Sequence, residues 1–127
     1  MSKAQIVSIV DDDASVREAT KDLVSSLGLE VFAFESAEEF LDSPLVEDTS
    51  CLITDVQMPG MKGYELQRHL AAAGRQMPVI FMTAFPEKIR NRPDCVGALA
   101  FLEKPFDAAT LVDLLRNVLA HSPPAHR

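Results

Sequence analysis

The chain contains no tryptophan, one tyrosine and two cysteines among its 127 residues, and it has no long apolar run. A membrane-spanning helix needs about 20 predominantly apolar residues in succession, so the sequence does not predict a membrane protein. Residues 1–5 lead directly into a short apolar run that ends in acids, whereas a signal peptide needs a longer apolar core and a cleavage site of small residues. A cytoplasmic location is therefore expected.

The two cysteines, Cys51 and Cys95, are far apart in the sequence. Cysteines of cytoplasmic proteins are usually kept reduced, so both are expected to be free thiols. Cys51 begins an apolar run and is expected in the core.

Basic residues are also scarce. The chain has 12 Lys and Arg residues and 19 Asp and Glu residues, which gives a net charge of −7. Nucleic-acid binding relies on Lys and Arg contacts with phosphates. We therefore expect no direct nucleic-acid partner. The 47% hydrophobic and 24% charged composition is ordinary for a soluble domain, and the length suits one compact domain.

Short apolar runs alternate with amphipathic stretches along the chain. The runs predict buried strands, because they are short and rich in β-branched residues. The predicted strands are residues 5–11, 30–34, 51–55, 78–82 and 98–102. Helical spacing and capping signals predict the helices, with residues 43 and 44 beginning a loop. The predicted helices are residues 14–27, 36–42, 63–73, 86–92 and 107–120.

Strands that alternate with helices predict a parallel sheet with helices on both faces. We assign residues 1–120 to a single domain, since no repeat or low-complexity segment interrupts it. Residues 121–127 form a polar tail with two prolines, which is either a frayed terminus or the beginning of a linker.

Polar side chains lie at or just beyond the ends of four of the five predicted strands. Asp11 and Asp12 lie at the end of the first strand, Asp55 ends the third, Thr83 follows the fourth and Lys104 comes after the fifth. Ligands of parallel sheets bind beyond the carboxyl ends of the strands. These side chains are therefore expected to converge at one edge.

The predicted cluster has the groups that a phosphoryl-transfer site needs. Neighbouring carboxylates stay ionised when a cation lies between them, and oxygen ligands suit Mg²⁺. Lys104 can contact one phosphoryl oxygen and the Thr83 hydroxyl another. A carboxylate can then attack phosphorus, because the cation and the lysine neutralise the transferred group.

Four segments of the chain contain these groups, namely SIVDD at 8–12, LITDVQMPGMKG at 52–63, FMTA at 81–84 and FLEKPF at 101–106. Together and in this order, they resemble the receiver domains of two-component response regulators. The resemblance covers residues 5–120 and implies a flavodoxin-like (βα)5 fold with strand order 2-1-3-4-5. The sequences of the last two segments are similar to the FixJ-like branch of the family.

The resemblance implies a phospho-acceptor and a Mg²⁺ site. Asp55 would accept the phosphoryl group. Asp12 would bind Mg²⁺ directly and Asp11 partly through water. Asp55 itself and the backbone carbonyl of Gln57 would complete the protein ligands.

The resemblance also implies residues that hold the phosphoryl group and respond to it. Thr83 and Lys104 would hold its oxygens. Phe101 would be the switch aromatic that moves inward when Thr83 shifts toward the phosphate. Pro105 would follow a peptide bond that is usually cis in the family. The residues that would flank the phosphoryl group are Gln57, Ala84, Phe85 and Pro105.

A receiver domain of this kind would take its phosphoryl group from a sensor histidine kinase. It would catalyse only its own phosphorylation and dephosphorylation. The phosphorylated form would change the surface of the fourth helix, fifth strand and fifth helix. That surface would dock a downstream partner or form a homodimer.

Each site residue also has a plainer interpretation when it is taken alone. Asp13 is better interpreted as a helix N-cap than as a ligand. The acidic run is not an EF-hand loop, because Val16 and Asp22 stand where that loop needs glycine and glutamate. Taken alone, Asp55 and Thr83 could be ordinary polar residues at strand ends. Phe101 could be a core residue and Lys104 a surface lysine.

Two other functions remain open at this stage. Phosphohydrolases of the haloacid-dehalogenase type share the nucleophilic aspartate but carry an acid/base aspartate two residues later. Gln57 stands there in this chain and cannot act as an acid or base. A pseudo-receiver would bind partners without phosphorylation, and loss of an acid, the threonine or the lysine would favour it.

Two residues depart from the usual receiver pattern. Phe85 stands where many relatives have a polar residue, and our hypothesis is that it hinders the attacking water and lengthens the life of the phosphorylated form. Pro93 falls where the fourth helix of a receiver should continue past residue 92, and a proline there disrupts the helix. We expect that helix to be short, bent or loosely packed.

Overall fold

The computed structural model describes residues 5–75, 77–84, 100–104 and 106–121. Five parallel strands form one sheet in the order β2-β1-β3-β4-β5, which confirms the predicted flavodoxin-like order. β1 and β4 differ from the prediction by one residue at each end, and β5 extends one residue further at its C-terminal end. The strands are β1 Ile6–Val10, β2 Glu30–Phe34, β3 Cys51–Asp55, β4 Val79–Thr83 and β5 Ala100–Glu103.

The helices lie between the strands and after the last one. The predicted loop that begins at residues 43 and 44 contains a single 3-10 turn at Pro44–Val46, which the prediction missed, and the Ser43 hydroxyl accepts the Leu45 N–H at 3.3 Å. The predicted helix at 86–92, with Pro93, Cys95 and the tail from residue 122, lies outside the described residues. The helices are α1 Ala14–Ser25, α2 Ala37–Leu41, α3 Gly63–Ala72 and the C-terminal helix Ala108–His121.

Side-chain caps determine where three of these helices begin. The Asp13 carboxylate accepts the N–H groups of Ser15 and Val16 at 2.9 and 3.2 Å, which confirms its predicted role as the α1 N-cap. The Asp107 carboxylate accepts the Thr110 N–H at 2.9 Å, and hydrogen bonds from the side chain and the backbone of Thr110 lower the pKa of Asp107. Such caps satisfy backbone donors that have no partner inside the helix.

Residues 36–39 have the sequence of a capping box, in which the first and last side chains accept each other's backbone N–H, and the α2 cap differs from this motif in one respect. The Ser36 hydroxyl accepts the Glu39 N–H at 3.0 Å, as expected. The Glu39 carboxylate, however, accepts the N–H of Glu35 at 2.8 Å rather than that of Ser36. The cap therefore includes one residue more than the predicted motif.

Two hydrophobic clusters cover the two faces of the sheet, as predicted for a parallel sheet. One cluster packs α2 and α3 on the sheet through Phe40, Leu66 and Leu70. The other packs α1 and the C-terminal helix and contains Cys51, which is buried and free. No helix in the described part of the chain is long and apolar enough to cross a membrane.

Candidate functional site

The strand register brings the predicted site residues to one edge of the sheet. Val10, the last residue of β1, pairs with Thr54, so Asp11 and Asp55 leave neighbouring strands at the same level. Thr83 ends β4 and pairs with Glu103, the residue before Lys104. These side chains come from four segments, and only the fold makes them neighbours.

Three carboxylates and one ammonium form the centre of the site. Lys104 Nζ lies 3.2 Å from Oδ2 of Asp11 and 3.2 Å from Oδ2 of Asp55. Asp11 is fully buried and Asp55 is 8% exposed, whereas Asp12 is exposed. Asp11, Asp12 and Asp55 each present one carboxylate oxygen within 4.8 Å of the other two. The structure thus assembles the predicted acidic cluster.

The three carboxylates and the ammonium of this cluster carry more negative than positive charge. Burial raises the pKa of Asp55, and the Asp11 carboxylate raises it further, while Lys104 partly opposes both effects. Burial alone would lower the pKa of the Lys104 ammonium, but Asp11 and Asp55 outweigh it and raise that pKa. One ammonium facing three carboxylates leaves an excess of negative charge, which a divalent cation would neutralise.

The acidic cluster fits Mg²⁺ by the chemistry of its donors. All three side chains offer hard carboxylate oxygens, which Mg²⁺ prefers over nitrogen or sulfur ligands. One of them is exposed, and Mg²⁺ usually keeps several water ligands on its open side.

Backbone hydrogen bonds hold the turn that carries Asp11. Its Oδ1 accepts the Asp13 N–H at 2.9 Å, and its own N–H donates to the Phe34 carbonyl at 3.1 Å. The Arg17 guanidinium donates to the Asp11 carbonyl at 2.9 Å. Sequence reasoning missed Arg17, although its position six residues after Asp11 places it in the first turns of α1.

Gly63 allows α3 to begin directly against the end of β3. Its N–H donates to the Val56 carbonyl at 3.0 Å. A Cβ at this position would overlap the carbonyl oxygen of Asp55 and lie 3.1 Å from the Val56 Cα. The sequence showed a glycine at the start of the predicted helix, but its contact with the Asp55 backbone follows only from the fold.

Hydrogen bonds also fix the phospho-acceptor candidate and the residue after it. Gln57 N–H donates to Asp55 Oδ1 at 3.3 Å, and the Thr54 hydroxyl donates to the Asp55 carbonyl at 3.0 Å. Val56 N–H donates to the Met82 carbonyl at 3.0 Å, which continues the β3–β4 ladder by one bond. The Gln57 side chain is exposed.

Thr83 and Phe101 occupy neighbouring strands near the cluster. Thr83 is buried, and its carbonyl accepts the Lys104 N–H at 2.8 Å. Phe101 is half-buried, with its ring centroid 5.8 Å from that of Phe81. Ala84 follows Thr83 and is exposed. Phe85 and Pro105, which were predicted to flank the site, lie outside the residues that the structure describes.

Residues 7–116 match the model of the response regulator receiver domain family. The chain belongs to this receiver domain family. The transcriptional regulatory protein FixJ of Azorhizobium caulinodans is 41% identical over 123 residues, which cover 96% of this chain and 58% of FixJ. Nodulation protein W of Bradyrhizobium diazoefficiens is 42% identical over 115 residues, which cover 88% of this chain and 50% of that protein.

Solved receiver structures share the fold. A response regulator receiver protein from Burkholderia phymatum has a TM-score of 0.78 and 40% sequence identity, with 94% of this chain and 98% of that chain covered. The similarity to FixJ confirms the predicted branch of the receiver family. The chain spans about half the length of the curated relatives it matches.

Proposed function

We propose that this receiver domain accepts a phosphoryl group on Asp55 from the phosphohistidine of a sensor histidine kinase, in a reaction that depends on Mg²⁺. The observation that carries the proposal is the position of Asp55. Its carboxylate lies 3.2 Å from the Lys104 ammonium and within 4.8 Å of carboxylate oxygens of Asp11 and Asp12.

The residues that would hold Mg²⁺ are Asp11, Asp12, Asp55 and, through its backbone carbonyl, Gln57. The bound cation would neutralise negative charge on the transferred group. Asp11 is fully buried and its Oδ1 accepts the Asp13 N–H at 2.9 Å. That contact orients a ligand before the cation arrives, which strengthens metal sites.

The transfer itself needs a nucleophile and a cationic group beside it. A carboxylate oxygen of Asp55 would form a bond to phosphorus while the phosphorus–nitrogen bond of the donor histidine breaks. The Lys104 ammonium would pair with one phosphoryl oxygen, and the Thr83 hydroxyl would donate to another. Positioning and charge neutralisation of this kind account for most catalysis of phosphoryl transfer.

Loss of the phosphoryl group would follow attack by water on the same phosphorus. The domain would therefore catalyse only its own phosphorylation and dephosphorylation. Gln57 is exposed beside Asp55 and would flank the water, together with Ala84, Phe85 and Pro105. The life of the phosphorylated form would depend on these four positions.

Phosphorylation would be transmitted through Thr83 and Phe101. The added group carries nearly two negative charges, and Thr83 would move toward it. The Thr83 carbonyl accepts a hydrogen bond from the Lys104 N–H at 2.8 Å. A shift of Thr83 would therefore also displace the segment that follows β5. Phe101 is half-buried and would then turn inward.

The responding surface would include β5, the C-terminal helix and the predicted fourth helix. We propose a downstream protein or a second copy of this chain as its partner. The sensor kinase would meet the domain in the cytoplasm. Residues 1–120 would form the receiver unit, and residues 121–127 would begin a tail or a linker.

A direct test is incubation with Mg²⁺ and acetyl phosphate followed by intact-mass spectrometry. The expected result is a gain of about 80 Da, the mass of one phosphoryl group. The gain should be absent in Asp55→Asn and in the presence of a chelator. No gain, together with no Mg²⁺ binding, would contradict the proposal and favour a pseudo-receiver that acts without phosphorylation.

A further inference from the structure

Glu38 connects α2 to the loop that follows the candidate phospho-acceptor. It lies in the first turn of α2 and is exposed. Its Oε2 accepts the N–H of Met61 at 3.0 Å, across 23 residues of sequence. The two residues belong to different elements, so this hydrogen bond links the loop to α2.

The loop is also fixed at the end nearest the site. Gln57 N–H donates to Asp55 Oδ1 at 3.3 Å, and Gly63 N–H donates to the Val56 carbonyl at 3.0 Å. Met58 is 4% exposed and anchors the first half of the loop in the core. Glu38 therefore adds a third attachment to the loop, at Met61, between the Met58 anchor and the start of α3.

Gly60 brings the loop backbone close to the same carboxylate. Its φ is +77°, and a Cβ there would lie 2.9 Å from Glu38 Oε2. The Glu38 carboxylate thus occupies the space that a side chain at position 60 would need, while it accepts the N–H of Met61. Movement of the loop away from α2 would break the hydrogen bond to Met61.

We propose that Glu38 is a positioning residue for the cation site: by accepting the Met61 N–H, it holds the loop of residues 57–61 in the conformation from which the Gln57 backbone carbonyl can bind the cation. The inference rests on the proposed function, in which that carbonyl is a Mg²⁺ ligand. Residues that orient metal ligands without touching the metal typically change its affinity by about 10- to 100-fold.

Glu39 offers a matched control on the same helix turn. It is also an exposed glutamate, and its Oε1 also accepts one backbone N–H, that of Glu35 at 2.8 Å. That bond is local and does not reach the loop. Glu38→Ala and Glu39→Ala therefore remove the same charge and one backbone hydrogen bond each, but only the first releases Met61.

Two readouts on Glu38→Ala, Glu38→Gln and Glu39→Ala test the proposal. Amide hydrogen exchange by NMR without Mg²⁺ should be faster at Met61 in Glu38→Ala only. Titration calorimetry should show the Mg²⁺ dissociation constant about tenfold higher in Glu38→Ala, at the low end for such residues because the contact is exposed. Glu38→Gln keeps an oxygen acceptor and should restore the affinity to within about twofold of the original protein.

The outcomes separate this inference from the proposed function. Unchanged Met61 exchange in Glu38→Ala would overturn the inference, and so would equal Mg²⁺ affinities of the two alanine variants. Failure of the glutamine to rescue would show that charge, not the hydrogen bond, is responsible and would overturn it too. Absence of Mg²⁺ binding in the original protein would instead refute the proposed function, and the inference with it.

Discussion

Gly63→Ala tests whether the fold holds Asp55 by close backbone packing. The added Cβ would overlap the Asp55 carbonyl oxygen and approach the Val56 Cα to 3.1 Å. Both neighbours are backbone atoms at the end of a fully buried strand, so no side chain can rotate to make room. The start of α3 must therefore move away from β3.

The free-energy change can be assembled from three effects. Overpacking of a well-packed contact costs about 1 to 3 kcal/mol, and loss of the Gly63 N–H bond to the Val56 carbonyl costs about 1 kcal/mol. Alanine regains up to about 1 kcal/mol through its helix propensity. We expect a net loss of about 2 kcal/mol in the free energy of unfolding, measured by urea denaturation.

Gly28→Ala is the control variant, because it introduces backbone strain at a glycine whose added Cβ would touch no other atom. Gly28 has a φ of +86° and no atom within 4 Å of an added Cβ, so its substitution costs only the left-handed conformation, about 1 to 2 kcal/mol. It should leave phosphorylation by acetyl phosphate unchanged, whereas Gly63→Ala should slow it by displacing the Asp55 backbone. A Gly63→Ala protein as stable and as reactive as the original would refute the reasoning.

Three further predictions concern buried ionisable groups. Without Mg²⁺, folding raises the pKa of Asp55 above 3.8. Between pH 3.8 and the raised pKa, the folded chain therefore binds more protons than the unfolded chain. Its free energy of unfolding falls as the pH rises through this range. Asp55→Asn should therefore be more stable than the original protein at pH 7 and lose this advantage below pH 3.8, and a variant of lower stability at pH 7 would contradict this. In Lys104→Met, the fully buried Asp11 loses the ammonium that lies 3.2 Å from its carboxylate. The free energy of unfolding should fall by about 2 kcal/mol, which is less than for fully buried pairs because the lysine is partly exposed. Equal urea midpoints of the two proteins would show that the ion pair does not contribute to stability. Burial raises the pKa of the Cys51 thiol to about 12, so in a Cys95→Ser background iodoacetamide at pH 8 should label it far more slowly than in urea, and rapid labelling of the folded protein would show that the thiol is accessible.

Much of the fold could be predicted because local patterns and global topology agree. The boundaries of β2 and β3 match the predicted runs, since both are bounded by clear turn signals. The strand at 79–83 begins one residue later than expected, because Pro78 has no N–H to donate to the sheet. The 3-10 turn at Pro44–Val46 was missed, because three residues carry no periodicity.

The site residues were predictable in kind but their contacts were not. Carboxylates at strand ends predicted an acidic edge, because parallel strands share the edge at which they end. Arg17, Glu38 and Gly63 gave no comparable signal. Each of them contacts or approaches a backbone atom of another segment: Arg17 the Asp11 carbonyl, Glu38 the Met61 N–H and Gly63 the Asp55 carbonyl. A sequence pattern does not show which backbone atoms come together.

The most direct test of the central claim is to locate the phosphoryl group within the chain. The protein is treated with acetyl phosphate and Mg²⁺ and then with borohydride, which reduces an aspartyl phosphate to homoserine, and peptide mass spectrometry locates the homoserine. The account predicts homoserine at position 55 and none when Mg²⁺ is omitted. Homoserine at position 11 or 12, or an equal yield at position 55 without Mg²⁺, would contradict it.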